Sequence, residues 1–218
     1  MIFFIITILI TMYAQFKVQN NFNKYSQVRN YNNMTGFEAA RNILDRNGLR
    51  DVRIERVKGS LSDHYSPRER ILRLSETVHD VPSISAVAVA AHEVGHAIQH
   101  QEGYGPLKFR SFMVPLANFG SRFSYILILG GLMLRAANLF DIGIFLFSLA
   151  VIFYLITLPV EFNASKRALE QLSSNGFIVQ NEYEPAKDVL QAAGLTYLAS
   201  ALSAVFYLLR LLALRRRD

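Results

Sequence analysis

Ile142 to Val160 is a run of 19 residues without a charged side chain. Coiled as an α-helix it is about 28 Å long, which matches the hydrocarbon core of a bilayer and exceeds what a soluble domain ordinarily buries on every face. Three further stretches share this character, and spans are expected at approximately 2–16, 114–134, 142–160 and 195–214. The first has neither a basic start nor a clear small-residue cleavage site, so it reads as a retained helix rather than a leader. Pro115 and Arg122 place the start of the second near the headgroups or at a kink, and Arg210 is close enough to the end of the fourth to snorkel. Composition agrees, with 51% hydrophobic and only 18% charged residues.

Between the spans the pattern changes. Thr35-Gly36-Phe37-Glu38 is a capping box opening a helix that runs to Asn47, with Gly48 as its stop. Val52 to Glu55 alternates as a strand does, and Asp63-His64-Tyr65 with Ile71 to Leu74 reads as a hairpin about Ser66-Pro67-Arg68. Gly103-Tyr104-Gly105-Pro106 has loop composition, and Arg135 to Asp141 is expected to be a short turn. Ser83 caps a helix from Ile84 to Gln101, in which only Gly95 is unfavourable, at a cost of about 1 kcal/mol.

That helix carries His92-Glu93-Val94-Gly95-His96. Residues four apart lie on one helix face about 6 Å from each other, so the two imidazoles can converge on one metal ion. Glu93 is one residue round, where a carboxylate can take a proton from zinc-bound water and pass it to a leaving amine. The chain has no cysteine, so zinc would be held by histidine and carboxylate alone.

Three residues are candidates for a third ligand. His100 continues the four-residue series, but three histidines on a straight helix are strung along about 12 Å of axis. Glu102 stands where an extended H-E-x-x-H-x-x-G-x-x-H pattern has its last histidine, although Gln99 replaces the turn glycine. Glu161 is a lone carboxylate at the end of the apolar run, followed by a helix-compatible segment, and would give a His₂Glu set with an open fourth position.

Leu61-Ser62-Asp63-His64-Tyr65, Leu74-Ser75-Glu76, the stretch from Ser83 to His100 and Leu158 to Ser165 together resemble the YugP-type neutral zinc metallopeptidases of bacterial membranes. The resemblance covers nearly the whole chain. More distantly the site is similar to the membrane gluzincins of the HtpX and CAAX-prenyl endopeptidase type. It implies zinc on His92, His96 and Glu161, with Glu93 as general base. Many gluzincins carry an aspartate four residues after the glutamate ligand to orient a histidine, and here that residue is Ser165, leaving the task to Asn163 or Ser165. In such sites an edge strand lines the cleft and adds extended substrate to the sheet, so Asp63, His64 and Tyr65 are candidate substrate contacts.

Topology bears on Glu161 separately. If the second and third spans form a hairpin, His92, His96 and Glu161 share one side of the membrane. Basic residues near the span ends on that side are Lys17, Lys24, Arg29, Lys108, Arg110, Lys166, Arg167 and Lys187, against Arg135 and Arg215 to Arg217 opposite, which favours a cytoplasmic site. The net charge of +6 is accounted for by such flanking residues, and no nucleic-acid partner is expected.

The expected protein is therefore mostly α, with about four transmembrane helices and a zincin-like α+β catalytic region of a small sheet plus the H-E-x-x-H helix. One membrane-embedded metallopeptidase domain covers 1–218, its catalytic region being 17–113 plus 161–194. The reading is a zinc-dependent endopeptidase, multi-pass in a bacterial plasma membrane, acting on peptides or membrane proteins. An intramembrane protease with an aspartate third ligand is disfavoured because no Asp-Gly pair occurs. A non-catalytic scaffold with a structural or degenerate zinc site is the alternative, and intact Glu93 counts against it.

Overall fold

The computed structural model describes residues 2–215; Arg216 and Arg217, counted above in the charge comparison, lie outside the described residues. The chain is mostly helical: α1 (Ile2–Ser26), α2 (Gly36–Arg46), β1 (Arg53–Val57), β2 (His64–Ser66), β3 (Ile71–Ser75), α3 (Glu76–His79), α4 (Ile84–Gln101), α5 (Gly105–Met133), α6 (Ala137–Ser174) and α7 (Gln180–Arg215). Packing divides it into two units. One comprises Met1–Tyr13, Gly105–Val160 and Thr196–Asp218, the other Ala14–Tyr104 and Glu161–Leu195.

In the first unit, α5, α6 and α7 are long and apolar enough to cross a membrane. Four such helices were expected. Three are found among the described residues, and α1 continues past Lys17 as a polar helix to Ser26. The start of α5 also differs from expectation: Gly105 and Pro106 are helical rather than loop, since proline in a first turn forfeits an N–H that would have no partner there. The turn after α5 is only three residues long, closed by Ala136 N–H donating to Gly131 O at 2.9 Å, and Asp141 sits inside α6. There Asp141 pairs with Arg215 at 2.6 Å. Helices α5 and α6 touch backbone to backbone, for a Cβ on Gly120 would lie 2.5 Å from Leu146 O. Side chains such as Ile126, Leu129 and Phe145 point outward and are exposed, as lipid-facing positions are.

The second unit is built on α4. Ser83 Oγ accepts from Ala86 N–H at 3.2 Å, and Ala86, Val87, Ala88, Ala90 and Ala91 are buried on every side. Helix α2 opens with the full capping box, Thr35 and Glu38 each bonding the other's backbone, and lays Ala39, Ala40, Ile43 and Leu44 into the core. The sheet order is β1-β3-β2, with β1 parallel and β2 antiparallel to β3. Leu72 and Leu74 of β3 are fully buried. From α6 come Ala164, Ala168 and Leu172, a stripe at helical spacing with no exposed surface. A Cβ on Gly95 would lie only 2.7 Å from Ala164 O, so the backbones of α4 and α6 meet at this glycine.

Candidate metal centre

That close approach positions the donors. Gly95 lies between His92 and His96 on α4, and Ala164 between Glu161 and Ser165 on α6, so the contact brings one turn of each helix face to face. Glu161 Oε2 is 3.2 Å from His92 Nε2 and 3.5 Å from His96 Nε2. One ligand atom from each of the three residues lies within 4.8 Å of the others, and all three residues are buried. The imidazoles meet edge to face with centroids 4.8 Å apart.

The outer nitrogens of both rings are engaged. His92 Nδ1 is 3.1 Å from Ser165 Oγ, and His96 Nδ1 is 3.0 Å from Gln99 Oε1. An acceptor at Nδ1 holds the proton there and turns the Nε2 lone pair towards Glu161. Burial alone would lower the His96 pKa, but the Glu161 and Glu93 carboxylates raise it above the ordinary value. Two inward-facing imidazole nitrogens and a buried carboxylate are the donor set a divalent cation of the zinc type takes, and with it bound they would trade the shared protons for the metal.

Gln99 was not recognised from sequence as part of the site. Fully buried, it bonds Asn163 Oδ1 through Nε2 at 2.9 Å, and Arg167 Nε donates to the same oxygen at 2.8 Å. Arg167 in turn grips Glu102 with two bonds of 2.9 and 2.6 Å. Asn163 therefore acts on His96 through Gln99, whereas Ser165 serves His92 directly. The available signal was an amide three residues beyond His96 on one helix face.

The other candidates fall outside the cluster. Glu102 is committed to Arg167. His100 Nδ1 is 3.0 Å from the Tyr65 hydroxyl, and burial lowers its pKa. His64 is exposed and bonds within its own turn at Ser62 O, 2.9 Å away. Asp63 accepts from Ser75 N and Oγ at 2.7 and 3.0 Å, which ties β2 to the end of β3; burial raises its pKa. Tyr65 matters through its backbone, for its N–H donates to Glu93 Oε2 at 3.0 Å. Edge strand β2 thus runs directly beside Glu93.

The chain matches the family model described as "Putative neutral zinc metallopeptidase" over residues 1–216. It is 52% identical over 213 residues to "Putative membrane protease YugP" of Bacillus subtilis (strain 168), an alignment covering 96% of this chain and 95% of that protein. No solved structure matches.

Proposed function

The chain belongs to the neutral zinc metallopeptidase family, and from that premise we propose that it is a membrane zinc endopeptidase of gluzincin type. The observation that carries the reading is the convergence of His92, His96 and Glu161, with both histidines' outer nitrogens already partnered. These three residues would hold zinc and leave a fourth position open. Bound zinc would supply Lewis acidity to the scissile carbonyl and lower the pKa of the attacking water.

Glu93 provides the proton transfer. Its Oε2 is held by the Tyr65 N–H, which leaves Oε1 to accept a proton from the attacking water. That proton then goes to the nitrogen of the leaving amine, so the carboxylate is regenerated. An extended substrate runs along the outer edge of β2, with Tyr65 alongside the reacting carbonyl. In this reading helix α1 serves as a fourth span, the basic residues flanking the spans favour a site on the cytoplasmic face of a bacterial plasma membrane, and the substrates are peptides or membrane proteins.

The test is metal content. Detergent-purified protein without a histidine tag is expected to hold about one zinc per chain, and Glu161→Ala far less, by elemental analysis. Negligible zinc in well-folded wild type would overturn the reading in favour of a scaffold. Gln99→Leu gives a finer prediction: with the acceptor at His96 Nδ1 gone, zinc affinity should fall by about 10- to 100-fold, measured by competition with a chelator. Unchanged affinity would show that Gln99 does not orient His96.

A further inference from the structure

The membrane-helix unit, taken by itself, contains a cavity of about 410 Å³, a size suited to a small-molecule or headgroup ligand. All four helices of that unit contribute to its lining. Arg210 lines it with Tyr125, Tyr154, Tyr207 and Ser203. Phe147 forms an aromatic cluster with two of the tyrosines, its ring centroid 6.1 Å from Tyr125 and 5.0 Å from Tyr207.

Two features ask for a ligand. First, no carboxylate lines the cavity, and among the described residues Arg210 has no acidic partner. Its neighbour on the same helix, Arg215, is by contrast matched to Asp141. Arg210 is exposed at the open side of the cavity, five residues before the end of α7, where its unmatched charge is available to an anionic headgroup. Second, the phenol groups of Tyr125, Tyr154 and Tyr207, all in the lining, make no hydrogen bond to any described residue, and Tyr125 and Tyr154 are exposed, so their donors are open to a ligand that enters from outside. An arginine that merely snorkels to water accounts for the charge but not for these donors.

We propose that this cavity binds an anionic glycerophospholipid. About 7.5 Å of helix separates Arg210 from Arg215, so its guanidinium stands near headgroup level, where it grips a phosphate through paired N–H donors. Tyr207 is one turn deeper, and its hydroxyl with that of Tyr125 donates to the ester carbonyls that follow the phosphate. The first acyl carbons then lie on Phe147. With a single cation and no acid in the lining, the cavity favours a lipid of net negative charge over a zwitterion, whose ammonium would find no partner there.

Native mass spectrometry of the full chain in detergent tests this, with phosphatidylglycerol, phosphatidylcholine and soluble glycerol 3-phosphate as probes. One phosphatidylglycerol per chain should be retained, more firmly than phosphatidylcholine, and Arg210→Gln should weaken retention by about ten-fold. The double variant Tyr125→Phe with Tyr207→Phe removes only two oxygens, keeps the packing and should lose several-fold. Arg135→Gln, in the turn outside the cavity, should change nothing. Equal retention of the two lipids, unaltered retention in the double variant, or an equal loss in Arg135→Gln would overturn the proposal, the last by showing generic attraction of lipid to basic residues. Competition by glycerol 3-phosphate as effective as by the lipid would overturn the lipid as occupant and identify a free phosphate ester. Each readout is independent of zinc and of peptide cleavage.

Discussion

Glu93→Gln should keep its zinc and lose peptide cleavage by at least about 10²- to 10⁴-fold, the usual worth of a positioned general base. The substitution is nearly isosteric, and an amide oxygen can still accept the Tyr65 N–H that Oε2 accepts now at 3.0 Å. His92, His96 and Glu161 keep each other and their outer partners, so the metal set is unaltered. What disappears is a group able to take the water's proton and return it to the amine. Elemental analysis and turnover of an extended peptide, run on the same preparation, separate the two roles. Wild-type cleavage would mean that another base operates, and loss of zinc would mean that Glu93 is itself a ligand.

Gly95→Ala should be nearly as damaging, although it touches no donor atom. In an isolated helix the change is favourable by about 1 kcal/mol. Here the added methyl carbon would sit 2.7 Å from Ala164 O and 3.2 Å from both the carbonyl carbon and Cα of that residue. Those are backbone atoms, which cannot rotate away. Helices α4 and α6 must part, and they must do so between His92 and His96 on one side and between Glu161 and Ser165 on the other. Destabilisation of about 1–3 kcal/mol, as for overpacked cores, is expected, read as a lowered unfolding midpoint. Chelator competition should show zinc held at least about ten-fold less tightly, since misplaced ligands cost as much as lost orienting partners. A variant that is more stable and binds zinc normally would mean that the two helices do not meet here.

Gly95 also shows where sequence reasoning runs short. Along the chain it reads as a tolerated weakness in a helix, because the atom that requires glycine belongs to a residue 69 positions away. The features that were legible are local. Ser83 and the apolar run after it announce α4, and Thr35 with Glu38 announces α2 through a reciprocal bond spanning three residues. Glu161 stood out as a lone carboxylate beside a charge-free run, and with two spans expected between it and the histidines it was expected on their side of the membrane. Gln99 did not stand out, since its partner Asn163 lies on another helix. The parallel pairing of β1 with β3 was equally hidden, for it skips the strand between them and is set by register rather than by a turn. Helix starts were misjudged where residues have two uses: Gly105-Pro106 suits a loop and a first turn alike.

The bond between Tyr65 and Glu93 has a consequence for the molecule in a crowded cell. An edge strand with unpaired amides is a template on which another chain can crystallise into a growing sheet. On β2 the N–H of Tyr65 is already given to a carboxylate, and Pro67, in the turn that follows the strand, has no N–H to give. A strand from a second copy would find only a short edge interrupted at Tyr65, enough for a few bonds to one peptide and too little for a growing sheet. The edge that can receive one peptide backbone beside the base is thereby guarded against receiving many, and self-association through β2 is discouraged by the residue that equips the site.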